Sequence, residues 1–239
     1  MGVLLELGKV PLHIYASKFA IKNWERIRMG IGNGFLLESC RNSFENQGWL
    51  HSIKQTLEIN EMSNFYDEVP NSVYPFVYRK IFEKLIDNFH KTSFDQIKSE
   101  SSKLRTYAIF KTEVGIEKYL TEMKNVADRI LVTKFRLSNH RLMIEVGRHN
   151  NTPRDQRFCP FCPNLIEDEK HFLFTCPIFT HLRTRYLAPV CEHIRSYQYL
   201  PHDAKLQALM HNMESETCKF IASSMELRMF LISEPKNKD

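Results

Sequence analysis

Three cysteines and one histidine lie close together in the stretch CPFCPNLIEDEKHFLFTC, residues 159–176. They are Cys159, Cys162, His171 and Cys176, in the pattern C-x2-C-x8-H-x4-C. A tight turn between the first two cysteines lets both thiolates lie about 2.3 Å from one tetrahedral zinc ion. His171 and Cys176 then complete the coordination sphere from a second segment. Because four protein ligands leave no open position, the sequence predicts one structural Zn2+ rather than a catalytic one.

Two other interpretations of this cluster stay open. Buried cysteines behave as small hydrophobic residues, so the three thiols could pack in a core beside a partly covered histidine. Alternatively, His181, Cys191 or His193 lies close enough in the sequence to replace one ligand. The six cysteines of the chain are too few and too unevenly spread for a disulfide scaffold, which favours metal binding in a reducing compartment.

The spacing between His171 and Cys176 constrains the backbone between them. On a continuous α-helix, residues five positions apart point roughly 140° away from each other. We therefore expect a short helix with His171 to end before Cys176, and Pro177 to open a new helix, since proline suits a first turn. The acidic residues 167–169 should stabilise the N-terminus of the first helix. An alternative role for one of them is to orient the imidazole of His171.

A basic stretch at residues 133–157 leads into the cysteine cluster and contains six basic residues against two acidic ones. The residues that we expect to contact phosphates are these six and two arginines beyond the cluster: Lys134, Arg136, Arg141, Arg148, Arg154, Arg157, Arg183 and Arg185. Arginine and lysine neutralise phosphates and release counterions, so the stretch predicts binding of RNA or DNA. An ordinary solvated helix face is the alternative.

Aromatic side chains flank the cluster at Phe158, Phe161 and Phe172. They can stack on unpaired bases, as aromatic residues do in proteins that bind single strands. The alternative is that they form a small core around the metal site.

Apolar residues recur every three or four positions along most of the chain, which predicts a mainly α fold. We expect a helical bundle followed by a small CCHC zinc-knuckle region with flanking helices. Predicted helices cover residues 13–29, 35–44 and 48–59. The longest helix is expected within residues 73–98, with Asn71 or Ser72 as its cap. Eight glycines and ten prolines argue against a turn-dense β fold, so strands are expected in a short ribbon around the cysteines.

We divide the sequence into three parts: a helical region at 1–125, a basic helix with the CCHC module at 126–200, and C-terminal helices with a frayed tail at 201–239. With 43% hydrophobic residues in 239, the chain can bury a core without disulfides. The net charge of +5 is modest, so any contact with nucleic acid depends on local patches.

No apolar run approaches the roughly 20 residues that span a bilayer. Glu6 also stands where a secretory signal should stay uncharged. We therefore expect a nuclear or cytoplasmic protein with no membrane partner.

Several segments resemble a known family. The segments LSNHRLMIEVGRHNNTPRDQRFCPFC, IEDEKHFLFTCPIF and LRTRYL resemble the region after the reverse transcriptase in polyproteins of jockey-like non-LTR retrotransposons. Upstream, LGKVPLHI and SSKLRTYAIFKTEVGIEKYL resemble segments between the polymerase and the zinc knuckle of that family. The resemblance spans nearly the whole chain, and GRHNNTPRDQRFCPFC with EDEKHFLFTC is its specific part.

The resemblance implies a C-terminal piece of a mobile-element protein that helps the polymerase engage template RNA or target DNA. It implies zinc ligation by Cys159, Cys162, His171 and Cys176, and it makes residues 1–125 a linker or thumb-like remnant that follows the polymerase. The implied partners are nucleic acid and other parts of a retroelement polymerase. The eight residues before the histidine depart from the four of the retroviral nucleocapsid knuckle, so that knuckle's mode of RNA binding does not carry over.

The sequence contains no Asp-Asp pair, whereas reverse transcriptases usually hold two metal ions with an aromatic-x-Asp-Asp turn. We therefore expect no polymerase activity, and the first hypothesis is a zinc-binding, nucleic-acid-binding fragment. The alternative is a zinc-stabilised helical protein-interaction module that binds no nucleic acid, with an exposed groove within residues 73–130. A third hypothesis, a nuclease that uses His140, His149 or Asn150, lacks predicted paired strands and a matching metal ligand.

Overall fold

The computed structural model describes residues 1–30, 48–67, 77–99, 102–213 and 215–233. The chain forms two compact units. The first contains Lys9–Asp95 together with Met1, and the second contains Gly2–Gly8 and Gln96–Asp239. The division of the sequence into three parts stays a prediction.

Some sequence predictions lie outside the described residues. They concern the helix at 35–44, Cys40 within it, the helix cap at Asn71 or Ser72, and the tail after Ser233.

Helices dominate both units, which confirms the predicted mainly α fold. The α-helices of the described residues are α1 (Gly2–Glu6), α2 (Leu12–Arg28), α3 (Trp49–Ile59), α4 (Asn64–Asp67), α5 (Val77–Lys98), α6 (Tyr107–Phe110), α7 (Lys118–Glu122), α8 (Val126–Arg136), α9 (Met143–His149), α10 (Thr180–Leu182), α11 (Ala188–Glu192), α12 (His202–His211) and α13 (Ser215–Ser233). Shorter helical turns are of the 3-10 type at Arg154–Gln156, Pro177–Phe179 and Tyr197–Tyr199, and of the π type at His171–Thr175 and Arg183–Leu187. Among the described helices α5 is the longest, with 22 residues.

The first unit is built around an apolar core. On α2, Ile14, Ile21 and Trp24 are buried at helical spacing, so one face of the helix packs inward. The other buried residues of this core come from the segment before α2, from α3, from the turn after α3 and from α5: Val10, Leu50, Ile53, Leu57, Met62, Ile81 and Leu85. The ring of Trp24 stacks on that of Tyr66 with centroids 5.4 Å apart.

A short antiparallel ribbon lies in the second unit. Its strands are β1 (Phe158–Cys159) and β2 (Cys162–Ile166), and Cys159 is paired directly with Cys162. In the described part of the chain this is the one sheet, beside an isolated bridge between Leu7 and Ile116. The strands are therefore confined to the cysteine region, as the sequence predicts.

An aromatic cluster forms part of the core of the second unit. The fully buried ring of Phe172 contacts those of Phe135, Phe179 and Phe220, with centroids 5.7, 4.9 and 5.7 Å away. These four residues come from distant parts of the sequence, so they join α8 and α13 to the turns after the ribbon.

Candidate metal centre

Two backbone devices position the four predicted ligands. The ribbon turns over Pro160 and Phe161, which places Cys159 and Cys162 opposite each other at its closed end. His171 opens a π-helical turn that ends at Thr175, and the N–H of Cys176 donates to the carbonyl of His171 over 2.9 Å. This bond spans five residues, so it brings together two positions that a regular α-helix would separate.

The backbone changes direction at Cys176, as predicted from the spacing. Cys176 has an extended conformation with φ of −61° and ψ of 119°, and Pro177 begins the following 3-10 turn. The π-helical form of the turn before it was not predicted.

The four side chains converge on a volume the size of one ion. Their ligating atoms all lie within 4.8 Å of one another, and all four residues are buried. The sulfur of Cys176 lies 3.9 Å from that of Cys159 and 3.8 Å from that of Cys162. Two sulfurs that bind one tetrahedral ion at about 2.3 Å lie about 3.8 Å apart, so the spacing matches. The cluster can bind a metal ion.

The imidazole of His171 is oriented for ligation through Nε2. Its Nδ1 lies 3.0 Å from the hydroxyl of Thr175, and that hydroxyl is 3.4 Å from the carbonyl of His171. A Nδ1–H that donates to the hydroxyl leaves Nε2 with a free lone pair. Nε2 is buried without a hydrogen-bond partner among the described residues. An unpartnered buried nitrogen beside three sulfurs fits a metal-binding role.

The three thiols interact strongly because they share a buried site. Hydrogen bonding from the Cys176 thiol, together with His171, lowers the pKa of Cys159 to about 4, although burial opposes the shift. Hydrogen bonding to Cys159 and burial raise the pKa of Cys176, and burial raises that of Cys162. Without a cation, the cluster therefore favours a single thiolate at Cys159 with Cys162 and Cys176 protonated. A bound divalent cation reverses this preference, because it stabilises every coordinating sulfur as a thiolate.

Of the three acidic residues before His171, Asp168 bonds to the start of the helical turn, whereas Glu167 and Glu169 are buried in contacts with other segments. The carboxylate of Asp168 accepts from the N–H of His171 over 2.8 Å at the start of the turn. Glu167 is buried and accepts from Arg228 over 2.6 Å at each of its two oxygens. It also accepts from the backbone N–H of Met143 over 2.7 Å. The residue that orients the imidazole is Thr175.

Glu169 is the centre of a second buried network. Its carboxylate accepts from the hydroxyls of Thr106 and Ser138, each over 2.8 Å, and lies 3.0 Å from Nε2 of His140. Arg105 lies 3.4 Å away. Burial opposes ionisation, but the hydrogen bond from His140 and the charges of His140 and Arg105 hold the pKa of Glu169 at about 2.

Arg136 is not on the surface, which contradicts the phosphate contact predicted for it. Its side chain is fully buried, and its guanidinium pairs with Glu6 over 3.0 Å and with Glu117 over 2.7 Å. It also donates to the carbonyl of Met210 over 2.8 Å. Two carboxylates already neutralise this cation, so it stabilises the fold of the second unit instead.

Three further predicted phosphate contacts are partly committed to the protein itself. Arg148 pairs with Glu145 over 3.0 Å. Arg157 donates to the carbonyls of Thr152 and Ile144 over 2.9 and 2.8 Å. Arg183 donates to the carbonyl of Cys176, one of the four candidate ligands.

The remaining four predicted cations are exposed: Lys134, Arg141, Arg154 and Arg185. None of them has an ion-pair partner among the described residues. Arg185 lies over the ring of Tyr186 at 5.2 Å, which leaves its charge in the solvent. Of the three aromatic residues, Phe172 belongs to the core, whereas Phe158 is 40% exposed. The phosphate contacts of the four cations stay a prediction.

The other candidate residues lie apart from the four ligands. Within the described ranges, the Cys159, Cys162, His171 and Cys176 group is the one histidine, cysteine and carboxylate cluster that can hold a metal ion. His181, Cys191 and His193 are outside it. His140 is paired with Glu169, and His149 lies 3.2 Å from Arg148.

None of the helices in the described ranges combines the length and the apolar character that a membrane span requires. No protein-family model, no curated protein and no solved structure matches the chain. The likeness to jockey-like retrotransposon proteins therefore stays an expectation that depends on the quoted segments.

Proposed function

We propose that the chain is a zinc-stabilised nucleic-acid-binding module without polymerase activity, and that the ion is structural. The observation that carries the zinc assignment is the closed set of three sulfurs and one unpartnered imidazole nitrogen. Thiolate and imidazole ligands in tetrahedral spacing suit Zn2+. The four ligands occupy every position, so they hold the ribbon to the helical turn and leave no site for a reacting water.

The nucleic-acid assignment is supported by exposed cations of the second unit. Lys134, Arg141, Arg154 and Arg185 are exposed and unpaired within the described part of the chain. Cations with no protein partner can exchange condensed counterions for phosphate contacts. Phe158 adds an exposed aromatic ring on the ribbon, next to Cys159.

The metal assignment is tested by native mass spectrometry with elemental analysis of the purified full chain. We expect one zinc per chain in the wild type and none in Cys162→Ser. Cys191→Ser is the matched control because Cys191 is partly buried outside the cluster, and it should keep its zinc. Wild-type protein that is folded and free of metal would contradict the assignment.

The nucleic-acid assignment is tested by titrating RNA and DNA at several salt concentrations. Each phosphate contact contributes about 0.9 to the slope of log affinity against log salt for duplex DNA, and about 0.7 for single strands. Arg141→Gln and Arg154→Gln should each lower the slope by about one contact. Lys54→Gln, which removes an exposed cation from the first unit, should leave it unchanged. Binding that does not depend on salt would rule out the proposal.

The alternative function, a helical protein-interaction module, is favoured by one feature of the second unit. A groove of about 530 Å3 contains the exposed apolar residues Val3, Ile116, Val126 and Ile130, with the cation Lys134 beside them. This surface suits an amphipathic helix with acidic flanks, such as one from another part of a polymerase. Ile130→Asp should abolish such binding and leave the salt-dependent affinity for nucleic acid within about twofold.

A further inference from the structure

A second groove in the second unit combines an apolar lining with two exposed cations. It has a volume of about 180 Å3, below the roughly 300–1,000 Å3 of pockets that hold drug-sized ligands. Ile221, Met225 and Met229 of α13 line it together with Phe135 of α8. Thioether side chains adapt to flat aromatic faces and contact them favourably. The lining therefore suits one small planar ring system.

Charged residues of this groove come from the basic stretch. Lys134 and Arg141 both line it, both are exposed, and neither has an ion-pair partner among the described residues. A ligand in the groove is thus placed beside two cations that can bind an anionic group. An apolar lining with neighbouring cations suits a ring that carries a phosphate.

His140 supplies a polar atom that has no use inside the protein. It lines the groove, its side chain is 4% exposed, and its ring lies 5.4 Å from that of Phe135. Its Nε2 is bound to Glu169, whereas Nδ1 is buried without a partner among the described residues. Nδ1 is an acceptor in the neutral ring and a donor in the protonated one. In either form a buried polar atom without a partner is costly, so a ligand atom that pairs with it would stabilise the site.

We infer that this groove is the binding site of a single unpaired nucleotide. The base lies against Met225, Met229 and Phe135, and a polar atom on the edge of the base forms a hydrogen bond with Nδ1 of His140. Its phosphate binds Lys134 and Arg141. The inference rests on the proposed nucleic-acid function and extends it. The exposed cations alone explain contacts with the phosphate backbone, whereas the groove adds a contact with one base. Paired bases present no free face to the groove, so single strands and loops are preferred over duplex.

The test uses the full chain and a single-stranded oligonucleotide of about 12 nucleotides with 2-aminopurine at its centre, as RNA and as DNA. Met229→Glu places a carboxylate in the groove. Phe230→Glu is the matched control, because it adds the same charge to the next residue of α13, which is 57% exposed and outside the groove. We expect Met229→Glu to weaken single-strand binding about tenfold and Phe230→Glu less than about twofold. Duplex of the same sequence should bind both variants equally.

A second arm needs no variant that alters the fold. Replacing the central nucleotide by an abasic one should weaken wild-type binding about tenfold and leave the affinity of Met229→Glu unchanged, because the base contact is already lost. If both variants bind single strands alike, or if the abasic strand binds the wild type as well as the intact one, the groove inference is wrong and the proposed function stands. If the wild type binds no nucleic acid in any salt, both are wrong.

Discussion

In the first unit the buried residues are almost all apolar, whereas in the second unit carboxylates, guanidiniums and thiols lie in the interior. Glu25 and Ser93 are the buried polar residues among the described part of the first unit. The described ion pair there, Lys54 with Glu58, is exposed. The second unit buries Glu6, Arg136, Glu145, Glu167, Glu169 and Arg228, most of them in ion pairs.

The two units use different interactions to specify their structures. Apolar packing is non-directional and tolerates volume-conserving substitutions. A buried charge requires its particular partner, because an uncompensated charge in the interior destabilises strongly. The second unit therefore depends on a few exact contacts, while the first depends on total burial. Both tryptophans, Trp24 and Trp49, lie in the first unit, so their fluorescence reports on that unit alone.

The largest effect should come from removing the metal. A structural zinc site contributes on the order of 10 kcal/mol to folding in small zinc domains. Chelation should therefore increase hydrogen exchange in residues 126–233 by several orders of magnitude. Exchange in α2 and α3, and tryptophan fluorescence, should change little. An equal loss of protection from hydrogen exchange in both units would contradict the prediction that the metal stabilises only the second unit.

Neutralising one buried carboxylate of the second unit should have the next largest effect. Glu167→Gln leaves Arg228 buried without its anion, which we expect to cost about 3–5 kcal/mol in urea unfolding monitored by far-UV circular dichroism. Asp203→Asn, at the exposed pair with Lys170, should cost less than about 1 kcal/mol. Adding Arg228→Met to Glu167→Gln should recover part of the loss. A similar cost for Glu167→Gln and Asp203→Asn would show that the buried pair has no special role.

A smaller effect should follow from Thr175→Val, which removes the hydroxyl that orients His171. Contacts of this kind typically change metal affinity about 10–100-fold. We expect zinc affinity in competition with a chromophoric chelator to fall within that range. Thr184→Val, whose exposed hydroxyl bonds to the Thr180 carbonyl outside the cluster, is the control and should leave zinc affinity unchanged.

The smallest expected effect is an increase in stability rather than a loss, and it concerns the first unit. Burial raises the pKa of Glu25 above its ordinary value of 4.5, although the Tyr78 backbone and Arg28 oppose the shift, and its Oε1 has no hydrogen-bond partner among the described residues. The ionised carboxylate therefore destabilises the fold at neutral pH. Glu25→Gln should stabilise the first unit by about 1 kcal/mol at pH 7, measured by tryptophan fluorescence in urea.

The pH dependence of this gain follows from the raised pKa. The folded state binds the Glu25 proton more tightly, so stability is lost as pH rises from the ordinary pKa through the raised one. The advantage of Glu25→Gln should thus disappear below pH 4.5. A gain that is the same at acidic and neutral pH would contradict the explanation.

The metal cluster could be predicted from the sequence because its residue types and spacing are local. Four ligands within 18 residues need no knowledge of the rest of the fold, and Pro177 marks the change of direction. The mainly α fold was likewise predictable from apolar periodicity. The π-helical turn could not be predicted, because it is set by where His171 and Cys176 must meet.

The burial of Arg136 could not be predicted from the basic stretch, since its partner Glu6 is 130 residues away. A weaker signal was present at the partner. Glu6 is the lone charge in GVLLELG. A single charge among apolar residues indicates that the side chain is buried with a counter-charge. Glu167 and Glu169 stand among other charged residues, so the sequence does not show that they are buried until their partners are known.

The π-helical turn also fixes how this region can change in length. Deleting one residue between His171 and Cys176 would leave a span of four, which fits an ordinary α-helix. The five-residue bond of the π-helical turn would then be lost, and the sulfur of Cys176 would no longer lie in the same position relative to the imidazole. The segment between β2 and His171 is constrained as well, because Glu167, Asp168 and Glu169 each make a specific contact. Insertions and deletions should therefore be eliminated on both sides of the histidine.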